Sequence, residues 1–195
     1  MKANGKSEVW NKGQTIGQKP PLTPQQLNAI RRKLKAGKNL RDLVLFNLAV
    51  DSSLGASDLV RLQLKDIARK GVISELVTVL STQTHHAVQF AISDATKELI
   101  EQWVAEKKLR PRSFLFASRI SNSPHISARQ YARIVSEWVA LIGLDTKEYS
   151  AQSLRRSKPM MIYSKTNNLD AAMAQLGHAR SRSTLRFLGI PTLRQ

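Results

Sequence analysis

The stretch QLGHARSRSTLRFLGI, Gln175 to Ile190, decides how the rest of the chain is read. Its closing run, STLRFLG, has the composition of a short helix, and Phe187 is the one aromatic in it. Around that ring stand His178, Arg180, Arg182 and Arg186, with Ser and Thr between them. So dense a cationic run suits a rim facing a polyanion. Phe187 is then either one more core aromatic or a ring standing where a hydroxyl would do chemistry. The remainder of the sequence decides between the two.

At 195 residues the chain has room for one sizeable domain with a real core. A hydrophobic content of 42% is ordinary for a folded protein and excludes wholesale disorder. No apolar run reaches the roughly 20 residues needed to cross a bilayer. The opening MKANGKSEVWNKG lacks the apolar segment of a secretory signal. With no cysteine, a disulfide framework and a thiolate metal site are both excluded, and the sequence reads as cytoplasmic. Charge is the strongest global fact: 31 Lys and Arg against 14 Asp and Glu give +17. A field of that size draws polyanions, nucleic acid first among them. An acidic membrane surface would call for a basic amphipathic helix with exposed aromatics, which is not found. A ribosomal or other RNA-binding role stays open on charge alone.

Along the chain, residues 1–21 read as a flexible basic arm ending in QKPP, and residues 22–195 as a single domain. Thr23 suits an N-cap and Pro24 the first helical position of a helix striped by Leu27, Ile30 and Leu34 and ended by Gly37. LRDLVLFNLAV is apolar on nearly every side and predicts a buried helix. A shorter helix follows in SDLVRLQ. ELVTVLS and AVQFAIS, separated by TQTHH, predict a β-hairpin. DATKELIEQWVAEKKL is helical again, with Leu99, Ile100, Trp103 and Val104 on one face; SFLFASR reads as extended and SNSPH as a loop. In SARQYARIVSEWVALIG the stripe is Tyr131, Ile134, Val135, Trp138 and Ile142, while Arg129 and Arg133, four apart, project together from another face. QSLRRSKPMMIYSKT, LDAAMAQLG and STLRFLG complete the helices. Pro159 withdraws an N–H from the first of these, so a kink is expected near Arg155. The fold class is therefore mostly α with a small antiparallel β-sheet, an α+β arrangement.

That order, together with the block from SLRRSKP to RFLGI, resembles the catalytic domain of the tyrosine recombinase (phage integrase) family, the DNA breaking-rejoining enzyme fold, over residues 22 to 190. The resemblance implies a site in which a tyrosine attacks a DNA phosphate and forms a 3′-phosphotyrosyl link. Two arginines neutralise the phosphate oxygens. A hairpin lysine protonates the leaving oxygen, and a His with a second His or Trp completes the set. Such chemistry needs an attacking hydroxyl and cations where charge develops. On the family's pattern the first arginine falls at Gly55 in SSLGASDL and the hairpin lysine at Gln83 in STQTHHAV. The histidine of the HxxR pair falls at Gln152 in QSLR, and the nucleophile at Phe187. Arg155 and His178 remain.

The resemblance therefore implies a degenerate, catalytically inactive member: no enzyme, with Phe187 keeping the ring for packing and omitting the hydroxyl. Tyr163, in MMIYS, reads as core packing, and Tyr131 and Tyr149 have no better claim. Expected at the DNA are Arg155, Arg156, His178, Arg129, Arg133, Arg180, Arg182 and Arg186, with His85 at the hairpin turn. His85 and His86, adjacent and without a third ligand, predict a loop tip and no metal, and no cofactor is implied. No Walker-type loop, carboxylate pair or Ser-His-Asp spacing points to another enzyme. The leading expectation is a cytoplasmic, site-specific binder of double-stranded DNA. It would act as accessory or regulatory factor of a mobile element (plasmid conjugation, transcription or recombination control), beside an active recombinase or DNA-processing complex. Two readings stand beside it: a divergent recombinase with residual or partner-dependent strand transfer, and a protein that coats DNA or RNA without sequence preference.

Overall fold

A computed structural model describes residues 18–118 and 123–191. Residues 1–17 of the expected arm, residues 119–122, which take in the end of SFLFASR and the first two residues of SNSPH, and the last four residues lie outside that range.

Helix α1 (Pro24–Ala36) starts on a reciprocal cap. Gln26 N donates to Thr23 Oγ1 at 3.2 Å, and Thr23 N donates to Gln26 Oε1 at 2.8 Å. Its stripe of Leu27, Ile30 and Leu34 is buried. Helix α2 (Leu40–Ser52) is buried from Leu43 through Ser52, which is why its sequence has no polar face. It is the central strut of the described chain. Helices α1, α5 (Asp94–Lys107) and α7 (Ala151–Thr166) and strand β4 (Ala87–Ala91) all pack on it. Helix α6 (Ala128–Ala140) completes the core. Its Trp138 ring meets Phe46 of α2 edge-on at 5.4 Å, and Trp138 Nε1 donates to Asp42 Oδ2 at 3.1 Å. The one polar atom of that indole is thereby satisfied without leaving the core.

The expected single sheet resolves into two antiparallel ribbons. Strand β3 (Leu76–Leu80) pairs with β4 in the register Leu76↔Ala91 to Leu80↔Ala87. A second ribbon, β1 (Ala68–Arg69) with β2 (Val72–Ile73), and the one-turn helix α4 (Leu64–Ile67) are too short to leave a periodic signal. Helix α3 spans Ala56–Val60, shorter than SDLVRLQ suggested, and SFLFASR contributes only the isolated bridge Gln63↔Phe114. Helix α7 runs unbroken through Pro159. Helices α8 (Leu169–Leu176) and α9 (Ser181–Leu188) follow, forming with α7 a small second cluster around Ala172, Leu176 and Leu188. The last residues assigned to the arm lie against the domain: Gln18 Nε2 donates to the Phe187 carbonyl at 2.8 Å, and the Lys19 carbonyl accepts from Arg156 Nη1. No helix among the described residues is long and apolar enough to cross a membrane.

One glycine fixes where α8 ends. Gly177 has φ +65, and a Cβ there would sit 2.6 Å from Val88 Cγ2 of β4. Both the left-handed backbone and the close approach demand glycine, and together they deliver His178 beside the hairpin. Gly177→Ala is expected to destabilise the protein by about 1–3 kcal/mol. Urea unfolding of the pair measures it, and an unchanged midpoint would mean that α8 does not rest on β4.

Candidate functional site

The site forms where the C-terminal end of α2 meets α7 and α9. Arg155 projects from the first turns of α7, and its Nε donates to the Ser53 carbonyl at 3.0 Å. Its guanidinium carbon lies 5.2 Å from the centre of the Phe187 ring, a cation–π approach. Burial pulls the Arg155 pKa below its ordinary value, with Asp58 opposing the shift and Arg156 adding to it. A guanidinium so shifted remains charged at neutral pH. Gly55 caps α3 directly beside it: a Cβ there would lie 3.6 Å from Arg155 Nη1.

His178 meets the same ring from another direction, its imidazole edge-on to Phe187 at 5.5 Å and 89°. Its Nδ1 is 3.0 Å from the buried hydroxyl of Thr184 on α9. Burial, and then the nearby Arg155, hold the imidazole below its ordinary pKa, so the neutral form prevails at pH 7. Phe187 thus organises two of the expected phosphate-binding groups.

Arg156 behaves differently. It was expected at a phosphate, yet it is 8% exposed, donates through Nη1 to the Lys19 carbonyl, and stacks at 4.9 Å on Phe187. The reason is helical geometry: one residue is a 100° turn, so Arg155 and Arg156 cannot share an outlook. Its Nε is buried without a hydrogen-bond partner.

The hairpin loop reaches this region through Asp58 of α3. Ser81 Oγ donates to Asp58 Oδ2 at 2.9 Å, and Thr82 donates to Oδ1 through its N–H at 2.9 Å and its hydroxyl at 2.6 Å. Gln83 and His85 are exposed beyond that latch, His85 with φ +55. Gln152 is exposed on the first turn of α7. Arg129 and Arg133 are exposed on α6, and Arg180, Arg182 and Arg186 on and before α9. Among the described residues, no hydrogen bond or ring contact ties these five arginines' side chains to the Arg155–His178 pair. Among the described residues no cluster of metal-ligating side chains occurs.

Sequence reasoning missed Asp58, Lys158 and Gln175. Lys158 Nζ and Gln175 Nε2 donate to the Asp51 carbonyl at 2.7 and 2.8 Å, directly behind Arg155. The available signal was spacing: Lys158 lies three residues beyond Arg155 and so on a neighbouring face of α7.

Arg156→Ala should cost about 1–3 kcal/mol of stability, because it leaves the Lys19 carbonyl and the Phe187 ring without their partner. Arg156→Met should recover part of that loss, since its apolar stem fills the space and removes the unpaired Nε. Thermal melts of the three proteins decide it; an Ala variant as stable as the parent would mean the guanidinium faces solvent.

Known proteins similar to this chain bear names of one kind. A probable integrase/recombinase of Bacillus subtilis (strain 168), YoeC, is 29% identical over 153 residues, 78% of this chain and 80% of that one. The crystal structure of XerA recombinase superposes with a TM-score of 0.73 at 11% identity, over 90% of this chain and 61% of that one. XerH site-specific recombinase, bound to a palindromic difH substrate in a post-cleavage complex, gives 0.71 at 19% identity, over 89% and 51%. The chain therefore spans between half and two thirds of these two solved structures. The expectation of a protein that is no enzyme is corrected by this company, whose names are those of recombinases and integrases. The profile of the phage integrase family matches residues 21–189, and the chain belongs to that family.

Proposed function

We propose that this chain is a divergent site-specific recombinase subunit, one that binds double-stranded DNA and takes part in strand transfer with a tyrosine carried by a partner subunit. The observation that carries the reading is the Arg155–Phe187–His178 arrangement: two phosphate-binding groups are held in place around a ring that lacks the hydroxyl. Arg155 would neutralise a non-bridging phosphate oxygen. With the Thr184 hydroxyl donating to His178 Nδ1, the imidazole proton sits on Nε2 and is free to donate to a second oxygen. The partner's tyrosine oxygen bonds to phosphorus as the P–O5′ bond breaks; the phenol gives up its proton and the departing 5′-oxygen takes one up, so the exchange of one phosphodiester for another leaves the proton count unchanged.

The chain's own tyrosines do not fill the vacancy. Tyr131 is buried, and burial raises its hydroxyl pKa steeply. Tyr149 and Tyr163 pack against the two apolar clusters. Support for duplex DNA comes from the net charge of +17 and from the DNA-bound XerH relative. The surface offered to it comprises Arg129 and Arg133 on α6, Arg180, Arg182 and Arg186 around α9, and His85 at the hairpin tip. A cytoplasmic place on a mobile element, such as a plasmid, fits that reading.

The test is a suicide duplex carrying the chain's selected binding site, nicked so that cleavage traps the covalent species. Alone, the chain should yield no denaturant-resistant adduct. Mixed with the tyrosine-bearing recombinase that shares the site, it should raise the adduct on that recombinase's tyrosine. An adduct on this chain alone would overturn partner dependence, and no change in the mixture would overturn participation in strand transfer.

Recognition separates into two classes of contact. Arg155 at a phosphate carries no base information, whereas an arginine on a groove-facing helix can reach guanine O6 and N7 together. Arg155→Ala should weaken selected and scrambled duplexes alike and flatten the salt slope by about one. Arg129→Ala or Arg133→Ala should cost roughly 1–3 kcal/mol on the selected duplex and little on the scrambled one. Equal losses on both would show that α6 only follows the backbone.

A further inference from the structure

On another side of α2 lies a second feature, which starts at the helix's N-terminal end. Between α1, α2 and α5 lies an open groove of about 670 Å³. Its floor is aliphatic: Leu34 and Leu43 are buried beneath it, and the half-buried Leu40 and Leu99 reach into it. One wall is the face of α1 that carries Arg32 and Lys35, both exposed, and continues into Lys38. Arg31 backs that wall, with Nε donating to Asn47 Oδ1 at 2.6 Å and Nη1 to Asn28 Oδ1 at 2.9 Å. The other wall is α5, with Glu98 and Gln102 exposed.

Two features of this groove ask for an occupant. The first is charge without compensation. Helix α1 contains no acidic residue, and the ion pairs found among the described residues, Arg41–Asp42, Lys97–Asp94 and Lys107–Glu106, involve none of its cations. Arg32 and Lys35, three apart, repel each other, and neither forms an ion pair with Glu98 across the groove. The second is the pairing of that charge with leucines. A phosphate backbone gains nothing from an aliphatic floor, and the Glu98 wall, with Glu101 beyond it, would repel a second polyanionic strand. An amphipathic helix gains from all three surfaces.

We infer that the α1–α2–α5 groove is a docking site for a helical segment of a partner protein, apolar along its base and acidic along the flank that faces α1. Helix-in-groove recognition of this kind needs anchors at i, i+3, i+4 and i+7, which is what a leucine floor accepts. The charged wall selects the sign of the flank and steers the encounter. Helix α2, 13 residues long, puts about 18 Å between Leu40 at the groove and Ser52 at the Arg155 site. Neither Arg155 nor His178 lines the groove.

The experiment uses the full chain and two synthetic peptides of about 18 residues, long enough to present that anchor spacing more than once. One has leucines at the helical stripe and glutamates on one flank; the other has the same composition with the stripe scrambled. Hydrogen exchange read by mass spectrometry should show protection of α1 and α5 by the striped peptide only. Charge reversal of exposed residues, Arg32→Glu with Lys35→Glu, should weaken that peptide about tenfold or more, and a lysine-flanked version should regain it. Affinity of the reversed variant for duplex DNA should stay within about twofold at raised salt. Protection by both peptides alike would reduce the effect to net charge and overturn the inference. So would no protection at all, or protection of α1 by duplex DNA together with a large loss of DNA affinity in the reversed variant.

Discussion

The arrangement of the site depends on how one helix ends. The last turn of α2 leaves carbonyls without intrahelical partners, and the partial negative charge of the helix terminus collects there. Three side chains from the C-terminal helices converge on it. Lys158 Nζ and Gln175 Nε2 take the Asp51 carbonyl, and Arg155 Nε takes that of Ser53. Ser53 itself turns into the left-handed region at φ +51 to present its carbonyl. The Asp51 side chain, buried in the same turn, accepts the N–H and hydroxyl of Ser93 at 3.0 and 2.9 Å and so ties α5 to the same point. Remove this convergence and Arg155 has a charge but no direction.

The ring of Phe187 is the second half of that constraint. Arg155, Arg156 and His178 are all cationic or able to become so, and bringing them together costs repulsion that burial magnifies. An aromatic face offers each guanidinium attraction without adding a charge of its own. The ring of Phe187 thus holds two guanidinium groups and an imidazole at one place. Gly55 has a matching logic. It caps α3 where a Cβ would come into ordinary contact with Arg155 Nη1, at 3.6 Å, so the guanidinium packs against bare backbone there.

Much of this was legible in the sequence, for physical reasons. α1, α2 and α6 announced themselves through strong periodicity or uninterrupted apolarity, because each buries a continuous stripe. Arg155, His178 and Phe187 could be found because their order and spacing match a pattern, and the structure brings their rings and guanidinium into contact. The burial of Arg156 was not legible, since adjacent arginines look alike until a helix assigns them different faces. Nor was the Asp58 latch: a carboxylate three residues beyond Gly55 says nothing of a hairpin 23 residues away until Ser81 Oγ is placed against it. The ribbon β1–β2 escaped because two-residue strands carry no alternation. The judgement that the chain is no enzyme failed on a different ground. It rested on side chains missing at a few positions, whereas the family match extends over residues 21–189 and a relative covered over most of its length is named an integrase/recombinase.

With +17 to accommodate, the protein neutralises little of it internally, and the ion pairs that do form are short-range contacts at the surface. Exposed pairs of this kind contribute about 0–1 kcal/mol each and cannot offset a net charge of that size. The self-repulsion is therefore carried as a standing strain of the free protein, relieved when an anion is bound. It is also divided in space. The arginines around α9 lie on or beside the helix that carries Phe187 and its contact with Arg155, while the Arg32–Lys35–Lys38 wall borders the N-terminal part of α2, where Glu98 of α5 lines the same leucine-floored groove. One fold thus presents two cationic surfaces of different chemistry. The first is bounded by groups suited to phosphate, and the second is bounded by hydrocarbon.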